Sequence, residues 1–164
     1  MDKIIVIGCP GSGKSTFSRA LADKTGLPLH HLDLMYWNAD RTTVPREQFR
    51  SRLEAVLAQE SWIIDGNYAG TMELRLAACD TVFFLDYPTD VCLSGLAARR
   101  GKARPDLPWV EREGETDEDF VSFVRDFATE SRPRVLELLA RYGDRRIIVF
   151  HSRDEAEHYL ATLS

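Results

Sequence analysis

Residues 3–15 read KIIVIGCPGSGKS: a β-branched apolar run that stops at glycine, a glycine-rich loop, then a lysine and a serine. Gly8-Cys9-Pro10-Gly11-Ser12-Gly13-Lys14-Ser15 satisfies the G-x-x-x-x-G-K-[ST] pattern in full. The pattern has meaning only after a strand and at the start of a helix, and this chain supplies both contexts. Glycines let successive backbone N–H groups turn inward around phosphate oxygens, and the helix N-terminus adds its partial positive charge. Gly8, Pro10, Gly11, Ser12, Gly13, Lys14, Ser15 and Thr16 are therefore expected to hold a nucleoside triphosphate. Lys14 should reach its β- and γ-phosphates, and the Ser15 hydroxyl should ligate Mg²⁺. Cys9 fills the loop.

Such a loop also needs an acid at the end of a neighbouring strand to hold the metal. Asp65 ends WIID and Asp86 ends VFFLD. Asp65 precedes Gly66, so its strand stops sharply and its carboxylate is expected to face the crevice and hold Mg²⁺ through water. Asp86 precedes Tyr87-Pro88 and is suited to capping the following helix.

The rest of the chain alternates strands and helices. Helical spacing marks 14–25, ended by Gly26, and about 45–59, with Pro45 in its first turn. Shorter helices are expected near 71–78 and 89–100, and a last one from about 154 to 163. A long helical region over 117–141 opens with Thr116 and Asp119 in capping-box spacing and is expected to kink or divide at Pro133. Strands are expected at 27–32, 62–65, 81–86 and 146–150. This alternation implies one α/β domain over 1–164, with a parallel sheet covered on both faces.

Composition removes several classes of function. The 164 residues carry 21 basic and 26 acidic side chains, a net charge of −5, which opposes direct DNA binding. No apolar run approaches the ~20 residues of a membrane span, and the N-terminus does not read as a signal peptide, so a cytoplasmic protein is expected. Three cysteines without zinc spacing are expected to be reduced thiols.

The stretch LPLHHLDLMYWN (27–38) places Asp33 just past the second strand, at the carboxyl end where open α/β sheets bind ligands. His30 and His31 point to opposite faces of a strand and so do not share a metal; His31 is expected to be a hydrogen-bonded structural residue. A phosphate acceptor is already anionic and needs arginines, whereas an alcohol must lose a proton. Asp33 fits a hydroxyl contact as a positioned carboxylate. Arg41, Arg46 and Arg75 suit an anion. Arg75 either meets one in the crevice or makes an ion pair at a helix end. Tyr36 and Trp37 either stack a ring of the acceptor or close the core beneath the segment.

WIIDGNY (62–68), TMELRLAACDTVFFLDYP (71–88), VCL (91–93) and HLDLMYW (31–37) resemble the topology modulation proteins, a branch of the adenylate kinase-related P-loop kinases. The likeness covers residues 1 to about 100. It implies a three-layer P-loop NTPase fold with a five-stranded parallel sheet in the order 2-3-1-4-5. It also implies an acceptor-binding segment at about 33–60 and a lid at about 100–118. The Asp of WIIDGNY then matches the position near magnesium, which favours Asp65. The arginine ending the helix before the lid matches Arg99, with Arg100 beside it, to stabilise the transferring phosphoryl group; Arg104 and Arg132 are weaker candidates. Relatives carry an arginine four residues before the lid arginine, where this chain has Gly95. The resemblance implies a kinase that moves the γ-phosphate of ATP, with Mg²⁺, to a small acceptor such as a nucleotide or nucleoside. The alternatives are a nucleotide-binding regulator without a small acceptor, or a protein acting on DNA topology.

Overall fold

A computed structural model describes residues 1–40, 42–99 and 117–163. Arg41, Arg100, Arg104 and Thr116 lie outside the described residues, as do the side chain of Arg99 and all but the last two residues of the expected lid.

Five strands, β1 (Lys3–Gly8), β2 (Leu29–His31), β3 (Trp62–Asp65), β4 (Thr81–Leu85) and β5 (Arg146–Phe150), form one sheet in the order β2-β3-β1-β4-β5. Every strand pairing within this sheet is parallel. The central strand β1 is buried from Ile4 to Ile7, as an unbroken β-branched run predicts for a strand covered on both faces. Right-handed crossovers set the layers. The step from β1 through α1 (Lys14–Thr25) to β2 runs one way across the sheet. The step from β3 through α4 (Ala69–Ala78) to β4 runs the other way, so the two helices cover opposite faces. Helix α8 (Arg153–Thr162) packs beside α1, where Phe17, Phe83, Phe150 and Tyr159 form an aromatic cluster with ring centroids 5.2–6.0 Å apart.

The remaining helices are α2 (Leu32–Tyr36), α3 (Arg46–Leu57), α5 (Thr89–Arg99), α6 (Asp117–Asp126) and α7 (Arg132–Arg141). Two differences from the sequence reading matter. The second strand is only three residues long, because a short helix, α2, takes over at Leu32 and carries Asp33 in its first turn. In the 117–141 region the break precedes Pro133. A π-helical turn spans Phe127–Ser131 and runs into α7 without leaving the helical region, and Pro133, which has no N–H to donate to the turn before it, is the second residue of α7.

At the lower end of the sheet, Asp80 joins β1 to β4. Its Oδ2 accepts from the backbone N–H groups of Asp2 (3.0 Å) and Lys3 (2.9 Å), and its Oδ1 accepts from the Thr81 hydroxyl (2.7 Å). Partial burial opposes ionisation there, but these donors outweigh it and hold the carboxyl below the usual range. A carboxyl depressed in the folded state contributes stability above its unfolded pKa and loses it as pH falls through the folded value. Asp80→Asn is expected to be less stable than the parent at neutral pH. The gap should close as urea midpoints are measured from about pH 5 down to about pH 2; a gap independent of pH would contradict this assignment.

Candidate functional site

The loop between β1 and α1 sits at the carboxyl end of the central strand. The Ser12 and Ser15 hydroxyl oxygens are buried and, among the described residues, have no hydrogen-bond partner. Buried hydroxyls are nearly always bonded, so two such groups at a helix N-terminus fit a polyphosphate and its metal. Lys14 Nζ donates across the loop to the Cys9 carbonyl (3.4 Å), and the Ser12 N–H donates to the same oxygen (3.0 Å). Cys9 is buried against Cys92 of α5. A hydrogen bond between the two sulfurs and the burial raise its thiol pKa, so it is a neutral filler.

Beside the loop, β3 ends in Asp65. Asp65 is buried, and its Oδ2 pairs with His31 Nδ1 at 2.8 Å. Register explains the meeting: His31 and Asp65 are direct partners across β2 and β3, and Asp65 is partnered with Val6 of β1 on its other side. The histidine orients the carboxylate next to the strand that feeds the phosphate loop. Asp86 lies elsewhere in the network. Its two oxygens accept from Arg132 Nε (2.8 Å) and Nη2 (2.9 Å), so it caps no helix, and α7 is fastened to the end of β4. That pairing in turn raises the Arg132 pKa.

Arg75 overturns its expected role as a substrate contact. The side chain is fully buried, and the hydrogen bonds it makes all go to one turn. Nη1 donates to the Gly66 carbonyl (3.0 Å), Nη2 to the carbonyls of Asn67 and Tyr68, and Nε to the Thr71 hydroxyl (3.3 Å). Burial lowers its pKa to about 10. No anion in the crevice can reach a guanidinium packed this way.

The turn that Arg75 holds touches both halves of the site. Asn67 makes a reciprocal pair with Gly8: its Oδ1 accepts from Gly8 N–H (3.2 Å) and its Nδ2 donates to the Gly8 carbonyl (2.7 Å). Tyr68, at φ 36°, donates its hydroxyl to Asp33 Oδ1. A left-handed tyrosine is a strained conformer that the surroundings must impose. Burial, the Asp33 charge and the bond to it raise the Tyr68 pKa, so the phenol stays a donor. Tyr36 packs at 5.2 Å from both Phe49 and Tyr68 and at 5.4 Å from Trp37, so the aromatics of the opening stretch close a small core beneath α2. A cavity of about 1050 Å³ opens beside them, between α3 and α4, lined by Tyr36, Phe49, Tyr68 and two arginines, Arg46 and Arg50. Arg50 was not singled out from the sequence, although it lies one helical turn after Arg46 and so shares its face.

The sheet order, the parallel pairing and the loop between β1 and α1 are now all in place. This is the P-loop NTPase fold. Shikimate kinase from Bacteroides thetaiotaomicron is similar over 98% of this chain and 94% of its own, with a TM-score of 0.60 and 22% identity. Shikimate kinase from Acinetobacter baumannii, solved in complex with shikimate, is similar over 98% of this chain and 91% of its own, with a TM-score of 0.61 and 18% identity. No protein-family model matches the sequence, and no curated protein matches it either. Among the described residues no helix is long and apolar enough to cross a membrane.

The buried guanidinium gives a direct test. Arg75→Met keeps the length of the side chain but strands the Gly66 and Asn67 carbonyls, the Tyr68 carbonyl keeping the Thr71 N–H and hydroxyl, and a loss of about 3 kcal/mol or more is expected. A fall in Tm of roughly 6–12 °C by calorimetry would register it. Parental stability in that variant would return Arg75 to the list of substrate contacts.

Proposed function

We propose that this protein is an ATP-dependent phosphotransferase that moves the γ-phosphate to a hydroxyl of a small acceptor. The observation that carries the proposal is the phosphate loop, whose buried Ser12 and Ser15 hydroxyls have no partner among the described residues, linked through the Asn67-Tyr68 turn to a separately positioned carboxylate, Asp33. The two similar structures are kinases named for a small molecule, shikimate, which supports the class of reaction. The motifs WIIDGNY and HLDLMYW support a place in the topology modulation protein-like branch.

The loop amides and Lys14 grip the triphosphate. Ser15, with Asp65 through water, would hold Mg²⁺, which when bound neutralises charge on the β- and γ-phosphates. Asp33, fixed by Tyr68, orients the acceptor hydroxyl and takes its proton. The freed oxygen attacks the γ-phosphorus as the bond to the bridging β–γ oxygen breaks, and ADP leaves. Arg99 and Arg100 stabilise the transferring group, a contribution of about 10³–10⁵ in rate for an arginine so placed. The cavity with Tyr36, Arg46 and Arg50 forms the acceptor wall, which suits a ring-bearing or anionic molecule, with Trp37 packed behind Tyr36. Phosphoryl transfer asks mainly for position and charge, so a site of this composition is sufficient.

Coupled ADP release, run against nucleotides, nucleosides, sugars and hydroxy acids including shikimate, tests the reading. One class should accelerate ADP formation and recover the phosphate as an ester. Slow hydrolysis indifferent to every acceptor would instead indicate a nucleotide-dependent regulator. Lys14→Ala is expected to keep the fold and lose thermal stabilisation by MgATP. Asp33→Asn should retain that stabilisation while turnover falls about 10²–10⁴-fold. Undiminished turnover in Asp33→Asn would remove the carboxylate from the chemistry.

A further inference from the structure

We propose that Arg153 is a positioning residue of the nucleotide site, which fixes the phosphate loop from its outer side and thereby sets its affinity for triphosphate. The inference rests on the nucleotide-binding reading above. Arg153 is the first residue of α8, where a cation opposes the helix dipole, and helix formation alone gives no reason for an arginine there. Its guanidinium reaches back across the fold to the loop. Nη1 donates to the Ser12 carbonyl and Nη2 to the Gly11 carbonyl, both at 3.2 Å. The Tyr87 ring lies 5.8 Å from Cζ, on the side of β4.

These two carbonyls matter because of what their neighbours must do. A loop that turns its N–H groups toward a phosphate turns carbonyls away from it, and those oxygens need donors of their own. A planar fork can hold two adjacent carbonyls at once; an ammonium is a single point charge and holds them less well.

The space for the guanidinium is made by an unusually close approach. A Cβ added at Gly95 of α5 would stand 2.0 Å from the Gly11 carbonyl oxygen and 2.9 Å from Arg153 Nη2. A Cβ at Gly11 would stand 2.1 Å from the Cys92 carbonyl oxygen. Helix α5 therefore rests directly on the loop, and any side chain at 95 would displace either the loop or the arginine. Arg153 occupies that corner with a cation delivered by another element, one turn of chain after β5.

The test is calorimetric titration of MgATP, and separately of magnesium tripolyphosphate, into the parent, Arg153→Lys and Arg153→Ala, with the Tm of each nucleotide-free protein recorded. Arg153→Ala is expected to raise both dissociation constants about tenfold, a factor worth ~1.4 kcal/mol. Arg153→Lys should keep the parental Tm and lose less affinity than Arg153→Ala. Millimolar guanidinium should restore part of the affinity of Arg153→Ala and leave the parent unchanged. Parental affinity in Arg153→Lys and Arg153→Ala overturns the proposal, as does a loss for ATP that tripolyphosphate does not share, because that would place the arginine on the base. Should Arg153→Ala fail to fold, Arg153→Lys decides, parental affinity overturning the proposal and weakened affinity at parental Tm supporting it. A parent that binds neither ligand overturns the nucleotide reading along with this one, whereas a binding parent with unaffected variants overturns this one alone.

Discussion

A guanidinium with no exposure, Arg75, holds the turn on which both halves of the site depend. Charge is expensive to bury unless its donors are met, and here they are met by oxygens of a single tight segment, Gly66 to Thr71. The turn then has little freedom. Gly66 returns its N–H to the Val6 carbonyl of the central strand, Asn67 locks onto Gly8 where the phosphate loop begins, and Tyr68 is driven into a left-handed conformation that aims its hydroxyl at Asp33. The phosphate loop and Asp33 are thereby fixed relative to each other through three consecutive residues. For the proposed phosphoryl transfer, which depends mainly on geometry, such a link would have direct chemical value.

The fold was legible because its signals were redundant. KIIVI, the glycine loop and the helix after it reinforce one another, and parallel pairing follows from strands alternating with helices, whereas the order 2-3-1-4-5 was implied only by the resemblance to P-loop kinases. Of the site, the position of the loop was legible, because the G-x-x-x-x-G-K-[ST] pattern demands a strand before it and a helix from Lys14, and β1 and α1 stand there. Asp65 was correctly placed at a strand end, but its bond to His31 depends on strand register, which no local pattern encodes. Arg75 was misread because a lone arginine near a crevice looks like an anion site, and burial is not written in its neighbours. Asn67 and Tyr68 were quoted within WIIDGNY, yet their contacts with Gly8 and Asp33 appear only once the turn is folded. The break before Pro133 was displaced because a π-helical turn has no sequence signature comparable to proline.

Two acidic strand ends show how the fold assigns similar residues to different work. Asp86 meets Arg132 with both oxygens and so anchors α7 to the end of β4. Asp65 meets a histidine through one oxygen, and a carboxylate oriented in that way suits an outer position around a metal, where water completes the contact. The distinction lies in the partner and not in the acid. Arginine brings two parallel donors and saturates a carboxylate; imidazole engages it at a single atom.

The phosphate loop shows the same economy from the other side. Its inward N–H groups leave outward carbonyls, and the chain supplies donors to nearly all of them from different elements. Asn67 serves Gly8, Ser12 N–H and Lys14 serve Cys9, Arg153 serves Gly11 and Ser12, and the Phe17 N–H serves Gly13. Because these donors come from the turn after β3, from α1 and from α8, the loop is fastened to the sheet, to its own helix and to the far edge of the domain. A backbone nest held at this many points does not need a ligand to assume its shape. The entropy of ordering the loop is then lost on folding and not on binding, which is the condition under which short-range contacts to phosphate are expressed as affinity.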